Sequence, residues 1–189
     1  MRRASRWTAG VLLWVAACVA TAAGWDENRL MQALAQAPHP TTPFTETRHL
    51  NLLDVPLQSH GELEFRAPDY LRRSVAGGES FEIDGGRLVV HTVGGEQREL
   101  SLDSYPGLRA FAESFRATLA GDLVALHRYF RSELHGTEQN WELRLVPTDA
   151  HLGAVIARIS LFGHGGRVTR VETYERGGDY TVTRLGSAG

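Results

Sequence analysis

With 189 residues, 42% of them hydrophobic, the chain is too apolar for a disordered segment and the right size for one domain with a real core. Its 20 basic against 22 acidic side chains give no surplus of the kind nucleic acid selects, so no nucleic-acid partner is expected. A lone cysteine, Cys18, excludes an internal disulfide, so stability must come from the core.

The first segment decides the compartment. Arg2, Arg3 and Arg6 make a positive start, Val11 to Ala20 form a short apolar run, and small residues follow. That order reads as a secretion signal over residues 1–22. The run is too short for a membrane anchor, which needs about 20 apolar residues. Ala20-Thr21-Ala22 fits the small-x-small rule and predicts cleavage before Ala23. The mature chain, residues 23–189, then carries 17 arginines against 22 acids and no lysine. A second cut competes: Val15-Ala16-Ala17-Cys18 has the form of a lipobox, which would leave a lipid on Cys18 and tether the protein.

Gly24 to Ala37 is predicted helical. Asp26 caps it, Leu30, Met31 and Leu34 share one face, and Pro38 and Pro40 end it. From Thr45 to Leu102 the period changes to two. His60, Glu62, Glu64 and Arg66 alternate with Gly61, Leu63 and Phe65, which gives a strand with one wet and one apolar face. Phe44–Leu50, Tyr70–Val75, Glu79–Ile83, Arg87–Thr92 and Gln97–Leu102 read as further strands. Turns at Ala67-Pro68-Asp69, Gly77-Gly78, Asp84-Gly85-Gly86 and Gly94-Gly95 separate them. Ser104 to Leu134 is predicted helical in two pieces, broken where Gly121 stops one and Asp122 caps the next. Strands resume with Trp141, Leu143 and Leu145 on one face, then Val155, Ala157, Ile159 and Leu161. Arg167–Tyr174 and Tyr180–Leu185 close the set. The fold class is mostly β (α+β): a curved antiparallel sheet or incomplete barrel with covering helices.

Motifs of catalysis are absent. The eight histidines are scattered, no pair has i, i+4 spacing, and no phosphate loop, nucleophile elbow or dinucleotide fingerprint occurs. Glu62 and Glu64 share a strand face as solvated residues should. No metal, cofactor or catalytic residue is expected, and the chain is read as a non-enzyme.

The order of elements resembles the LolA-like outer-membrane lipoprotein carriers, and the fold expected is LolA/LolB-like. The similar segments are Leu30-Met31-Gln32-Ala33-Leu34, Phe44-Thr45-Glu46-Thr47-Arg48, Gly61 to Pro68, Tyr70-Leu71-Arg72-Arg73, Ile83-Asp84-Gly85-Gly86-Arg87-Leu88, Trp141 to Pro147 and Ile156 to Leu161. The resemblance implies an apolar cavity under a helical lid. It also implies acylated lipoprotein or lipid as cargo, an inner-membrane release complex as donor and an outer-membrane receptor as acceptor. In that family an arginine just before the turn proline latches the lid to backbone carbonyls. Here that position is Ala67, so Arg66, Arg72 and Arg73 are the candidates for the latch.

The expected cavity lining is Leu63, Phe65, Leu88, Val90, Trp141, Leu143, Val155 and Ile159, with Leu108, Phe111 and Phe115 as lid. The expected role is a periplasmic carrier of acyl chains, soluble after signal cleavage. The alternatives are a membrane-tethered acceptor lipidated at Cys18 and an exported hydrolase with an unrecognised site.

Overall fold

The computed structural model describes residues 24–38, 40–66 and 69–186, without the side chains of residues 106–108 and 111. The signal segment, Cys18, Ala67 and Pro68 lie outside the described residues, as do the side chains of Leu108 and Phe111.

The chain opens with α1 (Glu27–Gln36), whose cap Asp26 accepts from the Arg29 amide at 2.9 Å and whose Leu30, Met31 and Leu34 are buried. Six strands follow: β1 (Thr42–His49), β2 (Leu57–Arg66), β3 (Tyr70–Val75), β4 (Ser80–Asp84), β5 (Arg87–His91) and β6 (Gln97–Ser101). A single 3₁₀ turn at Leu102–Ser104 leads into α2 (Pro106–Ala120) and α3 (Leu123–Leu126). Then come β7 (Phe130–Thr137), β8 (Asn140–Pro147), α4 (Ala150–Val155), β9 (Ile156–His164), β10 (Arg167–Glu175) and β11 (Tyr180–Leu185).

All eleven described strands form one curved antiparallel sheet in the order β6-β5-β4-β3-β2-β1-β11-β10-β9-β8-β7. Two local meanders are thus joined where the first strand pairs with the last, Phe44 opposite Leu185 and Arg48 opposite Thr181. The sheet stays open because residues 102–129, between its two edge strands, fold as helices instead of closing the ladder. One edge is blunted by the exposed side chains of Gln97, Arg98 and Glu99. Among the described residues no helix is long and apolar enough to cross a membrane.

Two of the predicted elements need correction. The helical stretch ends at Leu126, and Phe130 to Leu134 begin a strand. Phe130, Ser132 and Leu134 alternate with exposed Arg131, Glu133 and His135, a period-two pattern that the helical reading passed over. The residues before Ile156 form a short helix, because Asp149 caps it by accepting from the Leu152 amide at 2.8 Å. Val155 is the last residue of that helix and is 56% exposed, so it does not belong to the inner face of a strand.

The core is in two parts. Leu30, Met31 and Leu34 of α1 pack with Leu126, Phe130, Trp141, Leu143 and Leu161 on the later half of the sheet. Leu71, Ile83, Leu88 and Leu102 pack together on the earlier half. Helix α2 lies across both, giving Ala110 and Ala117 to the first part and Ala112 to the second. The turn after it presses on α1: Gly121 has φ +70°, and a Cβ there would come within 2.2 Å of the Met31 carbonyl oxygen.

Trp141 anchors the larger part. It stands opposite Gly163, whose missing side chain makes room for the indole, and its Nε1 donates to the Gly165 carbonyl at 2.9 Å. Replacing this buried ring by alanine removes its packing and orphans that carbonyl. Trp141→Ala is expected to cost about 3–5 kcal/mol, whereas Val155→Ala, at an exposed helix end, should stay within about 0.5 kcal/mol. Urea unfolding followed by circular dichroism measures both; equal costs would show that Trp141 is not in a fixed core.

Candidate functional site

The inner face of the sheet and the underside of α2 enclose a cavity between the two core parts. It has two adjoining lobes, of about 310 and 410 Å³, within the roughly 300–1,000 Å³ usual for ligand pockets. Leu63, Phe115, Thr118, Leu161, Val171 and Leu185 line both. The smaller lobe runs under α1 past Leu34, Pro38 and Phe65. The larger extends over Phe44, Leu71, Phe81, Phe130, Leu145 and Ile159. A more open hollow of about 480 Å³, lined by Leu88, Val90 and Phe81, adjoins the larger lobe at Arg73 and Glu46.

Part of the ceiling is made of small residues, beside Phe115 and Leu119 of the same helix. Ser114 and Thr118 project from α2 where a leucine would fill the gap. Their hydroxyls are buried but satisfied inside the helix: Ser114 Oγ donates to the Ala110 carbonyl at 2.6 Å and Thr118 Oγ1 to the Ser114 carbonyl at 2.9 Å. The ceiling therefore offers methyl and methylene surface and asks no hydrogen bond of an occupant.

Helix α2 is strapped to both sides of the open sheet. Tyr129, just before β7, donates through Oη to Glu113 Oε2. Arg109 Nε donates to the other oxygen of Glu113 at 2.8 Å, and its Nη1 reaches Asp103 in the 3₁₀ turn after β6 at 2.6 Å. Farther along, Arg116 Nη1 donates to the Gly85 carbonyl in the β4–β5 turn at 3.3 Å. An arginine does join α2 to the sheet through a backbone carbonyl, but it sits on the helix and the carbonyl in a turn of the sheet.

The three latch candidates lie elsewhere. Arg66 is on the outer face, paired with Glu64 at 3.1 Å and stacked over Tyr70 at 3.7 Å. Arg72 is exposed, opposite Glu64 and Glu82. Arg73 points into the cavity, where its Nη2 meets Glu46 Oε1 at 2.9 Å and its guanidinium lies 4.7 Å from the Phe44 ring.

Of the expected lining, Leu63, Phe65 and Ile159 face the two lobes, and Leu88 and Val90 face the adjoining hollow. Trp141 and Leu143 are packed beneath the helices in the core. Val155 is on the outside. Phe115 stands between the lobes, while the side chains of Leu108 and Phe111 are outside the described residues. The sequence reading missed Phe44, Leu71, Phe81, Leu161 and Leu185. It also missed Glu46, Arg48 and the threonines of β11. The only signal was that Phe44, Glu46 and Arg48 share one strand face, and a face that changes from apolar to charged reads as a solvated one.

A hydrolase would need a nucleophile with a base behind it. Ser132 Oγ lies 2.7 Å from His127 Nε2 and donates to Glu27 Oε2 at 3.1 Å. The carboxylate thus sits on the same side of the imidazole as the hydroxyl, at 3.6 Å from the same Nε2. A relay requires it on the other ring nitrogen. None of these three residues lines the cavity. Among the described residues no three histidine, aspartate or glutamate side chains converge as metal ligands would.

An open antiparallel β-sheet with helices across a cavity of mostly apolar lining and charged rim has the form of a carrier-type fold. The chain matches the family model for outer membrane lipoprotein carrier protein LolA-like over residues 19–189, and it belongs to that family. Solved structures similar to it include a LolA superfamily protein from Nitrosomonas europaea (10% identity, 85% of this chain and 90% of that one, TM-score 0.41). A putative outer membrane lipoprotein-sorting protein domain from Vibrio parahaemolyticus is similar at 12% identity, 87% and 90% coverage and a TM-score of 0.42. A DUF1329 family protein from Desulfovibrio piger shows 11% identity, 85% and 90% coverage and a TM-score of 0.42. No curated protein matches the chain.

The strap gives a pH prediction. Burial pushes the Glu113 carboxyl up, but the Tyr129 hydroxyl and Arg109 outweigh it and hold the group below its ordinary value. A depressed carboxylate contributes stability that is present above the unfolded value, near pH 4.3, and is lost as pH falls through the folded one. Thermal stability should therefore drop on acidification below about pH 4 more steeply in the wild type than in Glu113→Gln. Melting curves between pH 3 and 7 test this; superimposable acid limbs would remove Glu113 from the strap.

Proposed function

We propose that the protein is a periplasmic carrier that holds the acyl chains of a lipoprotein or lipid in this cavity and moves them towards the outer membrane. The observation that carries the reading is the mostly apolar space between sheet and α2, roofed by a helix whose Ser114 and Thr118 hydroxyls are already satisfied. Each acyl carbon buried there is worth about 0.8 kcal/mol per CH₂, so a single chain gives useful affinity with no polar chemistry. Membership of the lipoprotein-carrier family supports the same cargo. The working unit is residues 23–189, released by cleavage before Ala23, with an inner-membrane release complex as donor and an outer-membrane receptor as acceptor. The lipobox ending at Cys18 favours a second reading, a tethered acceptor with the same cavity. Mass spectrometry of the mature N-terminus separates them: a free Ala23 supports the carrier, a lipid-modified Cys18 the acceptor.

The cavity is tested by titrating delipidated protein with a fluorescent fatty acid and by lipid mass spectrometry of the purified protein. Saturable binding is expected; absence of both binding and co-purified lipid overturns the proposal. Phe115 sits between the lobes with empty space on its cavity side, so it makes fewer contacts than a core ring. Phe115→Ala should weaken acyl binding about tenfold, the equivalent of one or two methylene contacts, and cost clearly less stability than Trp141→Ala. If it unfolds the protein as badly as Trp141→Ala does, α2 is core and not a lid.

A further inference from the structure

The inner face of the sheet changes character along the three central strands that floor the larger lobe, β1, β11 and β10, and in the same spatial direction, while β9 stays apolar with Ile159 and Leu161. On β1 the inward residues are Phe44, then Glu46, then Arg48. The register sets Leu185, Thr183 and Thr181 of β11 beside them. On β10 the inward series is Val171, Thr173, Glu175, with Val171 opposite Thr183 and Thr173 opposite Thr181. On β3 Arg73 stands between Leu71 of the larger lobe and Val75 of the adjoining hollow, and its side chain reaches across to Glu46. The lobe is thus apolar at one end and polar at the other, as a site for a tail and a head would be.

The charges at the polar end cancel. Arg73 is paired with Glu46 at 2.9 Å, and Arg48 with Glu175 at 3.4 Å. Glu46 is held from a second side, since Thr183 Oγ1 donates to its Oε2 at 3.1 Å. The Arg73–Glu46 pair spans β2, and at Gly61 of that strand a Cβ would lie 1.9 Å from the Ser74 carbonyl oxygen and 3.0 Å from the Phe44 ring that shares this surface. About a fifth of each of these two side chains is exposed.

Resting on the carrier reading, we propose that Glu46 is a specificity residue: by neutralising Arg73 it makes the polar end select an uncharged, hydrogen-bonding head, such as an acyl ester, amide or hydroxyl, and reject a carboxylate or phosphate. An anionic head would have to draw Arg73 away from Glu46 and leave that carboxylate half-buried beside it, or else shed its own water with no net positive charge in return. A neutral head meets no such cost. The threonine hydroxyls both donate and accept, and a guanidinium carries five N–H donors, more than one carboxylate contact uses.

The test titrates delipidated full-length mature protein at pH 8 with three ligands of one chain length: palmitate, palmitamide and monopalmitoylglycerol. The amide and the glyceride should bind about tenfold more tightly than palmitate, the size expected when a charged group goes uncompensated. Glu46→Gln, which keeps shape and removes the charge, should raise palmitate affinity about tenfold and change the other two by less than about threefold. The three-ligand comparison on the wild type stands even where the variant folds poorly. Palmitate binding as tightly as the amide in the wild type, or an unchanged ratio in a folded Glu46→Gln, overturns the inference and leaves the carrier reading intact. If none of the three binds saturably, both fall.

Discussion

Everything in this molecule depends on the pairing of its first strand with its last. β1 and β11 are separated by almost the whole chain, and their ladder from Phe44–Leu185 to His49–Tyr180 is what turns two meanders into one sheet. Without it the earlier strands, β2 to β6, would have no neighbour on the later side, and the cavity would have no floor. The pairing is also where the polar and apolar ends of the larger lobe meet across strands. Such a non-local contact closes a long loop before it returns any burial. The hairpin turns on both sides, with Gly77, Gly85, Gly165 and Gly178 at positive φ, shorten every other step to a local one.

The second constraint is that the fold must be stable around an interior cavity. The fold meets it by dividing the core. One part under α1 is dense, with Trp141 and Phe130 fully enclosed; the other, on β3 to β5, is smaller. Among the described side chains, helix α2 gives Ala110 and Ala117 to the first part and Ala112 and Phe115 to the second. Polar ties at its two margins, Tyr129–Glu113–Arg109–Asp103 and Arg116–Gly85, add to that attachment. The ion pairs among these ties are half-exposed, and pairs of that kind are individually weak.

Local chemistry was the legible part of the sequence. The Asp26 cap, the Gly121 stop, the Asp122 cap and the strand alternation of β2, β3, β8 and β11 each follow from three to eight neighbouring residues. The error after Leu126 has the same origin: Phe130 falls on the helical face of Leu123 and Leu126 and equally starts a period-two run, and local spacing does not choose between them. What alternation cannot give is depth. Leu63 and Leu143 occupy equivalent positions in their strands, yet one faces the cavity and the other is sealed under helices. Which of them meets a ligand is decided by where α1 and α2 lie, and the helices are placed by contacts far apart in the chain. The latch shows the same limit. Arg66, Arg72 and Arg73 are neighbours in sequence or register, and alternation alone would separate inward Arg73 from outward Arg66 and Arg72. Only the fold brings Arg116 to the Gly85 carbonyl.

The use of arginine throughout bears on how a charged rim can border an apolar space. A lysine at position 73 would present one compact, strongly hydrated charge, and holding it beside Phe44 would cost its water. The guanidinium is flat and weakly hydrated, so one face can lie on the Phe44 ring while its edge meets Glu46. The pair is then both part of the wall and part of the polar end, and the boundary between tail site and head site can fall within a single strand, between Phe44 and Glu46. That sharp boundary is what an amphipathic cargo requires, because its own change from methylene to polar atoms takes place over one bond. A cavity apolar throughout would accept a tail in either direction; on the carrier reading this one, polar at the end reached by Arg48 and Glu175, would favour a single orientation, with the head at the polar end.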